Sequence, residues 1–180
     1  MIETNIFQLS KTKPPSFIFR RYVKSFSKQK GYQHFIYTDQ DMDLFIHQNY
    51  PGLFETYLAL PVIQKTDLLR LLLVYHFGGL YSDLDTFCKV SLDTLFLEFP
   101  DAEIIVGLEA DTDEETKEMF ELARTKQICN WTFAARKGNS VLKAIIDEVI
   151  NNIKNNPDLP TLDKTGPGIL TDVILNTKNT

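Results

Sequence analysis

Apolar and polar positions along the chain alternate between two periods. Asn5 to Leu9 has a short strand pattern that Pro14-Pro15 breaks. Ser16 to Lys30 places Phe19, Val23 and Phe26 near helical spacing, and Gly31 marks a stop. Tyr32 to Thr38 is aromatic and β-branched enough for a second strand. Asp39 then caps a helix running to about Asn49, with Asp41 and Asp43 in its first turn. Pro51-Gly52 is a turn before a short helix near Tyr57. Pro61 to Phe77 is the strongest helical stretch, with Pro at its start and Gly78-Gly79 at its end. Leu80 to Phe87 reads as extended, and Glu103 to Leu108 and Ile128 to Ala135 as buried strands. Ser140 to Asn155 is amphipathic, with Leu142, Ile145, Ile146 and Val149 among its inward positions. Thr165-Gly166-Pro167-Gly168 turns into a last helix. Strands alternating with helices imply an α/β domain with a largely parallel sheet.

Composition fits this. The 180 residues are 43% hydrophobic and 24% charged, which excludes a disordered tail or a fibre. A chain this long buries roughly 70% of its unfolded surface, enough for one domain spanning residues 1–180. The longest apolar run, Leu68 to Phe77, is interrupted by Arg70 and is too short to span a bilayer. Cys88 and Cys129 form no CxxC pattern, so a structural zinc site is not expected. They either pair or stay as two buried thiols. His34, His47 and His76 are scattered and read as surface or packing residues.

The net charge of −5 is unevenly distributed. Glu109, Asp111, Asp113, Glu114, Glu115, Glu118 and Glu121 form an acidic run relieved only by Lys117. Residues 1–37 carry seven bases and only Glu3. Both stretches read as solvated surface, with a basic wall near an anionic ligand as the sharper alternative. Nucleic acid is not an expected partner for the acidic chain.

Candidate chemistry concentrates between Asp67 and Asp85. In an extended segment Asp83 and Asp85 point to one face and Leu84 to the core. Two adjacent carboxylates repel by roughly 4 kcal/mol at 4 Å and an effective dielectric near 20, a penalty that Mn²⁺ or Mg²⁺ removes. The same Asp-x-Asp spacing recurs at Asp39/Asp41, Asp41/Asp43 and Asp111/Asp113. Only Asp83/Asp85 follows a buried helix and a Gly-Gly turn. Asp67 and Arg70, three apart, share a face of that helix, either as an internal ion pair or as a clamp on a ligand.

This block resembles the Asp-x-x-Arg … Gly-Gly-x-Tyr-x-Asp-x-Asp signature of sugar-nucleotide transferases, with glycosyltransferase family 32 the nearest. Ile6-Phe7-Gln8, Tyr37-Thr38-Asp39, Val106-Gly107-Leu108-Glu109, Gln127-Ile128-Cys129-Asn130-Trp131-Thr132 and Thr165-Gly166-Pro167-Gly168 resemble other family segments in order. The closest subgroup is the fungal-type initiation-specific α-1,6-mannosyltransferases. The resemblance implies a GT-A fold, a Rossmann-like, mostly parallel central sheet flanked by helices. It implies retaining transfer of a hexose from a nucleoside diphosphate sugar with Mn²⁺ or Mg²⁺. GDP-mannose is the favoured donor and a UDP-hexose the other; the acceptor is a glycan, lipid or protein. By the same resemblance Asp85 is the direct metal ligand, and Asp83 contacts the metal's water, the ribose or the sugar. Asp67 and Arg70 hold the donor sugar, and Tyr81 lies against the sugar or the diphosphate. Phe7 and Gln8 lie near the base, and Gly166 and Gly168 near the diphosphate.

The family's Gly-His-Pro is replaced by Gly138-Asn139-Ser140, and the domain is expected to be a minimal enzyme or a catalytic fragment short of some C-terminal family elements. The resemblance places relatives in the Golgi lumen; a chain with no anchor would be cytoplasmic. Asp83-Leu84-Asp85-Thr86 also fits the nucleophile motif of haloacid dehalogenase-like phosphatases, although Gly78-Gly79 interrupts the strand that should precede it. A catalytically inactive sugar-nucleotide-binding module is the third reading. Trp131 is expected in the core, with a ligand platform as the other reading, and the sequon Asn130-Trp131-Thr132 is expected unused because it lies in a strand.

Overall fold

The computed structural model describes residues 1–177. Strand β1 (Asn5–Leu9) is followed by a 3₁₀ turn at Phe17–Phe19 and helix α1 (Arg20–Ser27). Strand β2 (Gln33–Tyr37) enters α2 (Asp39–Asn49), and a second 3₁₀ turn (Pro51–Leu53) enters α3 (Phe54–Leu58). Then come α4 (Val62–Phe77), β3 (Gly79–Ser82), α5 (Leu92–Glu98), β4 (Ile104–Asp111) and α6 (Glu114–Met119). Strand β5 (Lys126–Ala135), α7 (Ser140–Asn155), α8 (Thr161–Lys164) and α9 (Pro167–Thr177) complete the fold.

The five strands form one sheet in the order β2-β1-β3-β5-β4. β1 is parallel to β2 and to β3, whereas β5 is antiparallel to both β3 and β4. The sheet is therefore mixed but mostly parallel: four strands point one way and only β5 runs against them. Helical crossovers join β1 to β2 and β2 to β3, as parallel neighbours require. Between β4 and β5 the chain reverses through a connection holding only the short α6.

Period-two alternation splits the sheet between two cores. Phe7, Tyr81, Phe133 and Ala135 face a large cluster with residues of α2, α4, α7 and α9, while Ile6, Leu80 and Ala134 face a smaller one with Ile2, Phe26 and Leu92. Helix α4 is the central column. Asp67 and the run from Leu68 to Val74 are all buried, so the helix is covered on nearly every side. Its end is forced by Gly78 (φ 71°) and Gly79 (φ 121°), conformations that disfavour any side chain. A Cβ on Gly79 would lie 2.3 Å from the Asn5 carbonyl oxygen. Asn5 Nδ2 in turn donates to the carbonyls of Phe77 and Gly78 at 3.3 and 3.1 Å, closing the helix terminus against β1.

Several local expectations shift. The helix expected over Ser16 to Lys30 is a 3₁₀ turn and then α1, with no side-chain cap at either start. Thr38, not Asp39, caps α2: its hydroxyl accepts from the Asp41 amide while Asp41 accepts from the Thr38 amide. The extended stretch ends at Ser82, because the Asp83 carbonyl accepts from the Thr86 amide at 3.2 Å and closes a turn. Asp83 thus opens a turn that holds Leu84 and Asp85, and the two aspartates do not alternate along a strand. Leu84 is half-buried on the cleft wall and not in the core.

Candidate active site

The carboxyl ends of β1 and β3, the first half of α4, the middle of β5 and the α8–α9 junction converge on one cleft. Loops beyond the carboxyl ends of parallel strands are where α/β sheets commonly bind ligands. Arg70 lies at its centre. Its Nη2 is 3.3 Å from Asp67 Oδ1, one helical turn away, and its Nη1 is 3.5 Å from Asp83 Oδ1. Nη1 also donates to the Asn130 carbonyl at 3.0 Å, and the guanidinium lies 4.9 Å from the centre of the Tyr81 ring. Tyr81 donates its phenolic proton to Asp83 Oδ1. The sequence reading left an internal ion pair and a ligand clamp open for Asp67 and Arg70; the two residues are paired, and both line the cleft.

Asp67 is held from two further directions. Asn130 Nδ2 donates to Oδ1 at 3.2 Å, and the Thr165 hydroxyl donates to Oδ2 at 2.9 Å. Burial pushes its carboxyl up to about 6, against the opposing pull of Arg70 and Thr165. Burial likewise raises Asp83, opposed by Arg70 and Tyr81, with the neighbouring charge of Asp85 adding to the rise. Burial also lifts the Tyr81 phenol well above its ordinary range, so it stays a proton donor.

Asp85 differs from its neighbours. It is exposed and makes no hydrogen bond or ion pair among the described residues. No group of three or more His, Cys, Asp or Glu side chains that could hold a metal occurs among the described residues. Two carboxylates with open space beside them still suit Mg²⁺ or Mn²⁺, which usually take one or two protein carboxylates and complete their shell with phosphate and water.

Phe7 and Gln8 lie behind the cleft, at 1% and 0% exposure. Phe7 stacks between Phe35 and Phe77. Gln8 Nε2 donates to the Asp83 carbonyl at 3.1 Å, and its Oε1 lies 2.9 Å from His34 Nε2, so Gln8 braces the turn from below. Gly166 reaches the cleft wall, but Gly168 is already inside α9. A Cβ on either would crowd Leu162, which makes close packing of α8 on α9 their local role. None of the seven bases of residues 1–37 lines the space around Asp83 and Asp85.

Sequence reasoning assigned no individual role to Asn130, Thr165, Glu109 or Gln127. Trp131 was expected in the core but is 37% exposed, with Nε1 donating to Glu109 Oε1 at 3.0 Å. Gln127 is buried and donates to Glu109 Oε2 at 2.7 Å. Arg124 bridges Asp163 and Asp172 at 2.7 and 2.6 Å, which fastens α8 and α9 to the acidic connection. Cys88 and Cys129 are both free thiols. No helix among the described residues is long and apolar enough to cross a membrane.

Paired aspartates beyond a central strand, backed by an Asp/Arg pair on the preceding helix, define a GT-A-type domain. In fold the chain resembles the solved structure named PaToxG Glycosyltransferase, with a TM-score of 0.61 at 18% identity, covering 98% of this chain and 69% of that one. Residues 18–99 match the family described as "Glycosyltransferase sugar-binding region containing DXD motif", and the chain belongs to that family. It is 28% identical over 176 residues to an initiation-specific alpha-1,6-mannosyltransferase of Candida albicans, covering 84% of this chain and 46% of the relative. The protein of the same name in Schizosaccharomyces pombe is 32% identical over 133 residues, covering 68% and 33%. The chain spans less than half the length of these curated relatives.

Proposed function

We propose that the chain is a metal-dependent retaining glycosyltransferase acting from a nucleoside diphosphate sugar onto a hydroxyl of a glycan, lipid or protein. The observation that carries this reading is the sharing of Arg70 between Asp67 and Asp83 while Asp85 keeps its carboxylate without a partner among the described residues. The names of the relatives favour mannose, and GDP-mannose as donor, over a UDP-linked glucose or galactose. A Golgi-lumenal setting follows from the same resemblance.

Asp85, with Asp83 behind it, would hold Mn²⁺ or Mg²⁺. When bound, the metal supplies Lewis-acid stabilisation of the charge left on the diphosphate. The chain's own residues do the rest. Asp67, fixed by Asn130 and Thr165, accepts hydrogen bonds from sugar hydroxyls without needing to reorient. Arg70 stays positive beside two carboxylates and donates to the sugar or to a phosphate oxygen. Tyr81 keeps its proton and holds Asp83 in one rotamer.

The test is thermal shift and donor turnover with GDP- and UDP-sugars, with and without Mn²⁺. Asp85→Asn should abolish metal-dependent donor binding, and Asp111→Asn, on the exposed end of β4, should leave it intact. Phosphate release from a simple monoester with no response to sugar nucleotides would overturn the reading in favour of phosphatase chemistry. Donor binding without any turnover would favour an inactive module.

A further inference from the structure

The sole tryptophan of the chain stands on the cleft rim. Its backbone carbonyl accepts from the Asp83 amide at 2.8 Å, so the ring is tied to the same turn that carries the paired aspartates. The side chain borders one opening with Asp83, Asp85 and Thr86, and a second with Asp67, Glu109 and Glu121. Trp131 therefore stands where those two spaces meet.

The ring is also preset. Nε1–H is satisfied by Glu109, and Glu109 is held in turn by Gln127. Gln127 is anchored by the amides of Ala123 and Arg124, at 2.8 and 3.2 Å from its Oε1. An indole that is over a third exposed is not filling the core, yet three successive groups fix its edge. Ordering a large aromatic surface in advance lowers the cost of binding something flat and apolar against it.

Charge decides what that something is. Past Asp67, Arg70 and Asp83, which face the donor, the second opening adds Glu109 and Glu121 and no further base. Such a wall repels a diphosphate and accepts hydrogen bonds from neutral hydroxyls. The adjoining space, with Leu9 and Phe19, holds none of these glutamates and is the better place for a nucleoside. A sugar ring has the matching chemistry: a C–H face for the indole and hydroxyls for the carboxylates.

We propose that Trp131 is the stacking platform of an acceptor subsite, and that its ligand is a neutral glycoside lying beside Asp83 and Asp85. This rests on the transferase reading, and sharpens it by assigning the acceptor end to a carbohydrate.

A lone tryptophan makes the wild-type protein its own reporter. Its fluorescence is titrated with methyl α-mannoside, α-linked mannobiose and the glucose and galactose counterparts. The titrations are run with and without saturating GDP or UDP plus Mn²⁺. A saturable change with at least one glycoside, persisting when nucleotide is bound, is the expected result. No change with any glycoside, or a glycoside response abolished by nucleotide, overturns the proposal. In transfer assays Trp131→Ala should raise the acceptor KM about tenfold while the donor KM moves less than twofold, the scale of one lost aromatic contact. Trp131→Phe should restore most of the acceptor affinity. An unchanged acceptor KM in Trp131→Ala overturns the proposal. A saturable glycoside titration in a protein that turns over no donor would remove the transferase reading alone.

Discussion

Thr165 and Asp67, 98 positions apart in sequence, are joined by a buried hydrogen bond of 2.9 Å. That bond ties the α8–α9 junction to the middle of α4, and fixes one of the two carboxylates that flank Arg70. Replacing Thr165 by Val keeps the shape and removes the donor. A buried carboxylate oxygen left without its partner costs about 1–3 kcal/mol. Urea unfolding should show that loss for Thr165→Val, and Thr165→Ser should recover most of it. Donor KM should follow the same order. Equal stability of the Val and Ser variants would show that the bond contributes nothing.

Asp67 also imposes a pH dependence with an unusual sign. Its carboxyl is pushed up to about 6 from an ordinary 3.8. Between those values the folded chain holds a proton that the unfolded chain has released, so stability falls as pH rises through the window. At roughly 1.4 kcal/mol per pKa unit the change approaches about 3 kcal/mol. Asp67→Asn lacks this titration. The unfolding free energy of the wild type, measured relative to Asp67→Asn, should therefore decline between pH 4 and pH 6. A flat difference would show that burying the ionised carboxylate costs nothing net.

Gly79 has the closest backbone neighbour among the glycines. Gly79→Ala must accept φ 121° and a Cβ 2.3 Å from the backbone of Asn5, which should cost about 2 kcal/mol or more. Gly31→Ala also has positive φ, 83°, but meets nothing within 4 Å and should cost only about 1 kcal/mol. Thermal unfolding of the two variants side by side checks the contrast. Because Gly79 begins the strand that ends at Ser82, just before Asp83, its substitution should also weaken donor binding, whereas Gly31→Ala should not.

Local signals were read well where the cause is local. The spans of β1, α2 and α7 were expected to within a residue, because period, caps and turn residues lie within each segment. The reversed direction of β5 was not legible. A run such as Ile104-Ile105-Val106 carries no mark of direction, and the helix between β4 and β5 is too short to signal a reversal. The true cap of α2 was missed because Thr38 and Asp39 are both good caps, and only the exchange with Asp41 decides between them. Leu84 was assigned to the core by extending strand alternation past Ser82, where the turn ends it.

The sequence alone determined the chemical inventory: an α/β chain, an Asp/Arg pair one helical turn apart, and paired aspartates after a glycine-enforced break. Those follow from spacing along the backbone, which covalent geometry transmits over a few residues. Tertiary structure alone decided which groups act on that inventory. It turned Phe7 and Gln8 inward, kept the N-terminal bases away from the cleft, and brought Asn130 and Thr165 onto Asp67. It also placed Trp131 on the rim with Glu109 and Gln127 behind it. The hydrogen bonds and ion pairs that set a carboxylate's charge act over about 3 Å in space, and a linear sequence carries no record of that distance between residues a hundred positions apart.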